Sequence, residues 1–247
     1  MLFLPAVLLL AAGLVWAVTE LPAFGHYSGV YGLALEHVAL GQRRATDIVS
    51  PVTFDYRGVD TLGEEFILFA AATGLAVLLR AQRGERRDEE EAKDHPADRL
   101  GRDTSDALRT LALPAIGALV VLGVYVVTHG HLTPGGGFQG GVILATVPIL
   151  IYLAGQALLA RELSPLAASD LVEAAGAAAF VCIGVGGLIA GVAFLYNFVP
   201  LGTPGDLLSA GTIPLLNVSV GIEVAGAVTL VFSEFVDQRL LRSGGRL

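Results

Sequence analysis

Residues 128–141 read Thr-His-Gly-His-Leu-Thr-Pro-Gly-Gly-Gly-Phe-Gln-Gly-Gly, with two histidines, one proline and six glycines in fourteen positions. A phosphate loop would close on Gly-Lys-Ser or Gly-Lys-Thr, and this stretch holds no lysine. A dinucleotide loop would need a strand before it and a soluble βαβ context. His129 and His131 stand two apart, so their rings share a side only on an extended backbone. With no cysteine and no second tight His/Asp/Glu cluster nearby, metal ligation finds no complete set. What remains is backbone chemistry. Pro134 stops a helix, and Gly135, Gly136 and Gly137 permit positive φ and close approach to other helices. At membrane depth such broken backbone is tolerated only when buried in protein or lining a cavity. The stretch is therefore a packing hinge or a cavity-lining element.

The surrounding composition sets that depth. The 247 residues are 54% hydrophobic and only 15% charged, against roughly 25% charged in a soluble domain. The runs 2–19, 110–128, 132–160 and 174–205 contain no Asp, Glu, Lys or Arg. A membrane-spanning helix needs about 20 apolar residues. The expectation is an all-α polytopic membrane protein with about six transmembrane helices, at 2–21, 61–80, 107–128, 137–160, 171–196 and 212–236. The second has the shortest uncharged part, 66–79, and spans only if Glu64 and Glu65 occupy its first turn. The N-terminal run has no basic flank and reads as an uncleaved first span. The single Cys182 reads as a packed small hydrophobe.

Residues 80–103 carry almost no large apolar side chain and read as a solvated linker. It divides the chain into a two-span module at 1–80, a charged cytoplasmic linker at 81–106 and a four-span domain at 107–240. Orientation follows the lysines and arginines. The linker carries seven of them, Arg161 follows the fourth span, and Arg239, Arg242 and Arg246 lie in the tail; the loops 129–136 and 197–211 carry none. A multi-pass protein with both termini in the cytoplasm satisfies these. It places 22–60, with Arg43, Arg44 and Arg57, outside.

Glu223 lies almost midway along the sixth span. A carboxylate at that depth faces a bundle interior or water and often marks an ion path; a protonated glutamate hydrogen-bonded to a neighbouring helix is the other reading. Asn217 and Ser219 could extend a polar file toward it. Thr61-Leu-Gly-Glu64 fits a capping box, while Asp60, Glu64 and Glu65 together could form a cation-entry or proton-relay cluster at the membrane edge. Asp170-Leu-Val-Glu173 likewise fits a helix cap. His129 and His131 either cap the third span or handle protons, since imidazole titrates near ambient pH. Gly187-Leu-Ile-Ala-Gly191 and Gly221 to Ala225 have the spacing of close helix–helix contacts.

"GHLTPGGGFQGGVILA", 130–145, resembles the signature of the B-type (MnhB/MrpB) component of Mrp/Mnh-type multisubunit Na⁺/H⁺ antiporters, and the resemblance covers about 105–240. "DYRGVDTLGEEFILFAAATG", 55–74, resembles the C-terminal part of the large A-type component of those antiporters, or the small E-type component of membrane-bound hydrogenases. That pattern has an Asn-Val-Val-like stretch before Asp-Tyr-Arg, where this chain has Asp47-Ile-Val. The resemblance implies a plasma-membrane transporter subunit rather than an enzyme, exchanging Na⁺ or another monovalent cation for H⁺. Its expected partners are the A-, C- and D-type antiporter subunits and the small ones, with no cofactor and no nucleic acid. Glu223, Glu64, Asp60, His129 and His131 are then candidates for the ion path, and Pro134, Gly135, Gly136, Gly137, Phe138, Gly140 and Gly141 form the structural motif. Two alternatives stay open: the membrane arm of an energy-converting hydrogenase or complex I-like oxidoreductase, and a pure assembly scaffold.

Overall fold

The computed structural model describes residues 3–21, 29–79, 105–155 and 166–244. The charged linker at 80–103 and Arg161 and Arg246 lie outside them. All regular structure among the described residues is helical, and the chain is an all-α polytopic membrane protein. The helices are α1 (Phe3–Thr19), α2 (Val30–Arg43), a short α3 (Val49–Pro51) that runs into a π-helical turn (Val52–Tyr56), α4 (Gly58–Leu79), α5 (Asp106–Thr128), α6 (Gly137–Leu153), α7 (Leu166–Ile189) and α8 (Ile213–Gly244). Four of these, α4, α5, α7 and α8, are long and apolar enough to cross a membrane, while α1 and α6 are shorter apolar helices of 17 residues each. The six apolar helices correspond to the six expected spans. Helices α2 and α3 are additions, in a segment whose sequence pattern indicates only a loop.

Contacts divide the chain into two compact units, Met1–His37 and Val38–Leu247. The first holds α1 and the start of α2. The second is a bundle around α8, which packs on α7, α6 and α4, while α5 packs on α6. Helix α8 is the central element: 61% of an 18-residue apolar window within Ile213–Val236 is buried, against 17% to 28% of the corresponding windows of the other three long helices. Its Ile213, Leu216, Val220 and Val224 form the main core with Phe54, Phe180 and Leu195. A second core joins Ala227 and Leu230 to Ala72 and Ala76 of α4.

Helix starts follow local chemistry where local chemistry exists. Ser105 caps α5, its hydroxyl accepting from the Leu108 amide at 3.3 Å. The capping box expected at Thr61–Glu64 and the helix cap expected at Asp170–Glu173 do not mark helix starts. Helix α4 begins at Gly58, so Thr61 lies within it and donates its hydroxyl to the Thr53 carbonyl at 2.6 Å. Helix α7 begins at Leu166, which puts Asp170 and Glu173 inside the helix. In each case the chain enters the helix a turn earlier than the cap pattern indicates.

The expected GxxxG contact also resolves differently. Helix α7 ends at Ile189, and Gly191 follows it with φ +82° and open space around it. The chain then doubles back along α7, so that the Leu195 amide donates to the Gly184 carbonyl at 3.0 Å. Gly184, Gly186 and Gly187 make room for Phe194, Phe198 and Tyr196 of this returning segment, not for a second helix. Cys182 is exposed on α7 rather than packed.

Three connecting segments meet at one end of the bundle. The amides of Thr46 and Asp47 both donate to the His131 carbonyl, at 3.1 and 3.2 Å. The Thr46 hydroxyl donates to Leu132 O at 2.6 Å and the Ser50 hydroxyl to Gly130 O at 2.5 Å. His131 in turn lies against the backbone of Asp206 and Leu207. Segment 44–57 is thereby clamped onto the glycine motif, with Phe54 set into the core at 6.3 Å from the Phe180 ring.

Candidate functional site

The glycine motif is built around one side chain of α8. Asn217 is fully buried; its Oδ1 accepts the Gly137 amide at 2.9 Å, and its Nδ2 donates to the Ile213 carbonyl at 3.3 Å. Helix α6 has no side-chain cap of its own, since its N-cap is Gly136 at φ +136°. A side chain from another helix satisfies an amide that would otherwise be orphaned. Added Cβ atoms on Gly130 and Gly136 would come within 2.7 and 3.0 Å of Asn217 Oδ1. Further along α6, Gly140 abuts Val127 of α5, and Gly141 abuts Gly221 and Val224 of α8. Asn217 and Ser219 are both buried on α8; the Asn217 amide is engaged as described, and the Ser219 hydroxyl donates to Leu215 O at 3.0 Å. Pro134 lies six residues past the end of α5 and is exposed, as is Phe138.

Two turns beyond Asn217 along α8, the bundle interior turns acidic. Glu223 has no solvent exposure, Glu65 of α4 is 2% exposed and Glu173 of α7 is 1% exposed. The Glu65 and Glu223 carboxyls face each other, with Glu173 close enough to Glu223 to add to its electrostatic field. No oxygen of Glu65 or Glu223 meets a hydrogen-bond donor elsewhere among the described residues. Backbone proximity sets this arrangement. A Cβ on Gly176 would lie 2.6 Å from Glu223 Cα, and one on Gly226 would lie 2.9 Å from Glu173 Cα. The pairs 173 with 226 and 176 with 223 run antiparallel, so a Glu-x-x-Gly on α7 is matched reciprocally by a Glu-x-x-Gly on α8. Each glycine receives the backbone of the other helix's glutamate. Buried Glu234 follows three turns later on α8.

The other candidate residues lie apart from this cluster. Glu64, one position from Glu65, is exposed. Asp60 is exposed and bound to Arg57, whose Nε donates to its Oδ2 at 2.6 Å. His129 stacks on Tyr125 with ring centroids 4.1 Å apart, its Nδ1 within 3.1 Å of both Tyr125 O and Thr128 Oγ1. His131 is fully buried at the loop end of the bundle, and burial holds its imidazole below the ordinary value; nearby His129 pushes the same way, while the backbone of Asp206 and Leu207 opposes it. Asp47, partly buried beside it, has its carboxyl raised by desolvation, against the Ser50 and Val49 amides. The two histidines thus point to different surroundings. Arg43, Asp55, Tyr56 and Gln42 form a separate cluster: Arg43 Nε lies 2.8 Å from Asp55 Oδ1, and the Tyr56 hydroxyl donates to Gln42 at 2.8 Å.

Sequence reasoning treats Glu65 as one member of an edge cluster and Glu173 as a cap, and so misses both. The signal that finds them is the buried stripe each belongs to. On α4 it runs Thr61, Glu65, Ala72, Ala76, and on α7 Ser169, Glu173, Gly176, Phe180, Gly184, both with helical spacing.

Comparison with known proteins bears on what this arrangement serves. An uncharacterized protein of Methanocaldococcus jannaschii is 33% identical over 201 residues, covering 74% of this chain and 75% of its own length. A putative antiporter subunit mnhB2 of Staphylococcus haemolyticus is 29% identical over 142 residues, 56% of this chain and 94% of that protein. Among solved structures, a chain of the membrane-bound sulfane sulfur reductase, an archaeal respiratory membrane complex, superposes with TM-score 0.72 at 29% identity, over 95% of this chain and 96% of that one. The Mrp complex from Dietzia sp. DQ12-45-1b shares the fold, with TM-score 0.70 at 24% identity, over 94% of this chain and 25% of the matched one. The sequence model described as "Domain related to MnhB subunit of Na+/H+ antiporter" matches residues 107–230. That stretch holds the Asn217-centred glycine motif and two of the three clustered glutamates, and the chain belongs to this MnhB-related family.

Proposed function

We propose that the chain is one component of a multisubunit monovalent-cation/proton antiporter, packed against the large A-, C- and D-type subunits and the small ones, and that its buried carboxyls contribute to the ion path. The observation that carries this reading is Glu223: a carboxyl with no solvent exposure and no donor from outside its cluster, near the middle of the most buried helix of an MnhB-related fold. Ionisable groups at such depth are costly, and their presence points to ion handling. The chain acts as a transporter subunit of the plasma membrane rather than as an enzyme, exchanging Na⁺ for H⁺ without a cofactor. Both termini lie in the cytoplasm. The clamping of 44–57 onto 130–132 supports that orientation, because it gathers the segments expected outside at one end of the bundle. The front part, through α4, serves as the E-type module, and 107–240 as the B-type domain.

Glu223→Gln tests the ion path in vesicles containing the assembled complex. It should lower Na⁺-dependent proton flux at wild-type complex levels; normal flux refutes the path and leaves the scaffold. Gly136→Leu should abolish recovery of the complex on native gels, because φ +136° and the Asn217 contact exclude a side chain there.

A second reading has its own support. The end-to-end likeness to a chain of the archaeal respiratory complex favours a membrane-arm component of an oxidoreductase. Mass spectrometry of the co-purifying proteins separates the two. Redox proteins carrying iron–sulfur or nickel–iron centres would overturn the stand-alone antiporter.

A further inference from the structure

The acidic cluster has a property that an ion-path assignment of Glu223 alone does not contain. Its two facing carboxyls come from different helices, α4 and α8, and all four of their oxygens are buried without a donor. Two ionised carboxylates in contact within a low-dielectric interior repel strongly, and no cation from the described residues offsets them. A single proton between them removes one charge and supplies the missing hydrogen bond. Glu65, Glu173 and Glu223 do not form a cage that would hold a metal ion. The groups facing Glu223 are Glu65 from α4, with exposed Glu64 beyond it, and Glu173 from α7.

We propose that Glu65 and Glu223 form a buried proton-exchange site, holding one proton between two carboxyls, with Glu173 as the adjoining acceptor. The inference rests on the ion-path reading and adds the partners and the ligand. In the transfer, an O–H bond of one carboxyl breaks as a lone pair of the next accepts the proton; one charge moves and no co-reactant is required. Residue 65, rather than residue 64, is the α4 carboxyl that takes part inside this chain. Glu64 faces outward from it.

Infrared difference spectroscopy with hydrogen–deuterium exchange tests the site on the full chain in lipid vesicles, beside antiport by the assembled complex. The wild type should show an exchangeable protonated-carboxyl C=O band. Both Glu65→Gln and Glu223→Gln should lose it, since the new amide donates to the remaining carboxylate in place of the proton. Glu173→Gln should keep it. A band that survives in Glu65→Gln, or that the folded wild type lacks, overturns the shared proton. If either single variant fails to fold, the Glu65→Gln/Glu223→Gln double variant restores a hydrogen-bonded pair, and retention of the band there overturns the proposal. Loss of the band in both variants with unchanged antiport keeps the shared proton and refutes the ion-path reading. Loss of antiport in Glu223→Gln with the band intact in Glu65→Gln does the reverse.

Discussion

Gly137→Ala subjects the Asn217 hub to the smallest possible change. The added Cβ would run into the Asn217 carbonyl oxygen and come within 2.7 Å of Val220 Cβ and 2.9 Å of the Gly221 nitrogen. Ordinary carbon contacts begin near 3.5 Å, so the start of α6 must retreat from α8 by about 1 Å. Two of the three atoms met are backbone, which cannot rotate away. The retreat carries the Gly137 amide, now 2.9 Å from Asn217 Oδ1, out of hydrogen-bonding range. Overpacking of this kind costs about 1–3 kcal/mol, and an abandoned buried donor about 1–3 kcal/mol more. Against these, alanine recovers at most about 1 kcal/mol of helix propensity. The expected net loss is about 3 kcal/mol, a fall in melting temperature on the order of 6–12 °C. The controls are Gly63→Ala and Gly74→Ala on α4, where an added Cβ meets nothing within 4 Å. Circular dichroism of the purified chain in lipid–detergent micelles would compare all three. If Gly137→Ala melts within about 2 °C of the controls, the Asn217 hub does not hold α6 and α8 together.

Two further perturbations bear on the loop end of the bundle. Thr46→Val and Ser50→Ala each remove one hydroxyl bond to the 130–132 backbone and should cost about 1 kcal/mol apiece. Amide exchange at Thr46 and Asp47 should quicken while α7 and α8 stay protected; unchanged exchange at those two amides would show that segment 44–57 is held by other contacts. His131 supplies a pH dependence. Burial holds its folded imidazole below the ordinary value near 6.5, so the unfolded chain binds more protons as pH falls through that region, and stability falls with it. The melting temperature of the wild type should drop on acidification below about pH 6.5, and His131→Gln should flatten that drop; an unchanged slope would place the sensitivity elsewhere.

What can be read in the sequence is what local chemistry decides. Helix α5 runs Asp106–Thr128, against an expected 107–128, because Ser105 caps one end and the His-Gly turn closes the other. The start of α6 at Gly137 is equally legible from the glycine run. Segment 44–57 is not, since its conformation comes from bonds to residues about eighty positions away. The choice between Glu64 and Glu65 is a question of helical phase. Adjacent residues lie about 100° apart around a helix, and capping logic points at Glu64 while the stripe of Thr61, Ala72 and Ala76 points at Glu65. Packing follows the stripe. The Gly187 to Gly191 spacing misleads for a different reason: it describes small residues accurately but not what they receive, which here is the chain's own return.

The glycine motif and the carboxyl cluster are successive turns of one helix. Asn217 and Glu223 are six residues apart on α8, about 9 Å along its axis. Between them Val220 and Gly221 meet Gly137, Gly141 and Val127, and just beyond Glu223 Val224 meets Gly141 and Gly226 meets Glu173. A displacement of α8 at the motif therefore has no slack in which to dissipate before it reaches Glu223, whose own backbone is seated on Gly176. The scaffold and ion-path readings then cease to be alternatives for the motif. Its packing role is what fixes the depth and register of the carboxyls, so a lesion among the glycines that still allows assembly should be read as a displacement of Glu223 against Glu65, while a lesion at Glu223 leaves the hub intact. That asymmetry follows from the order of these residues on α8, and it makes the glycine motif a positioning element for the proposed proton-exchange site two turns away.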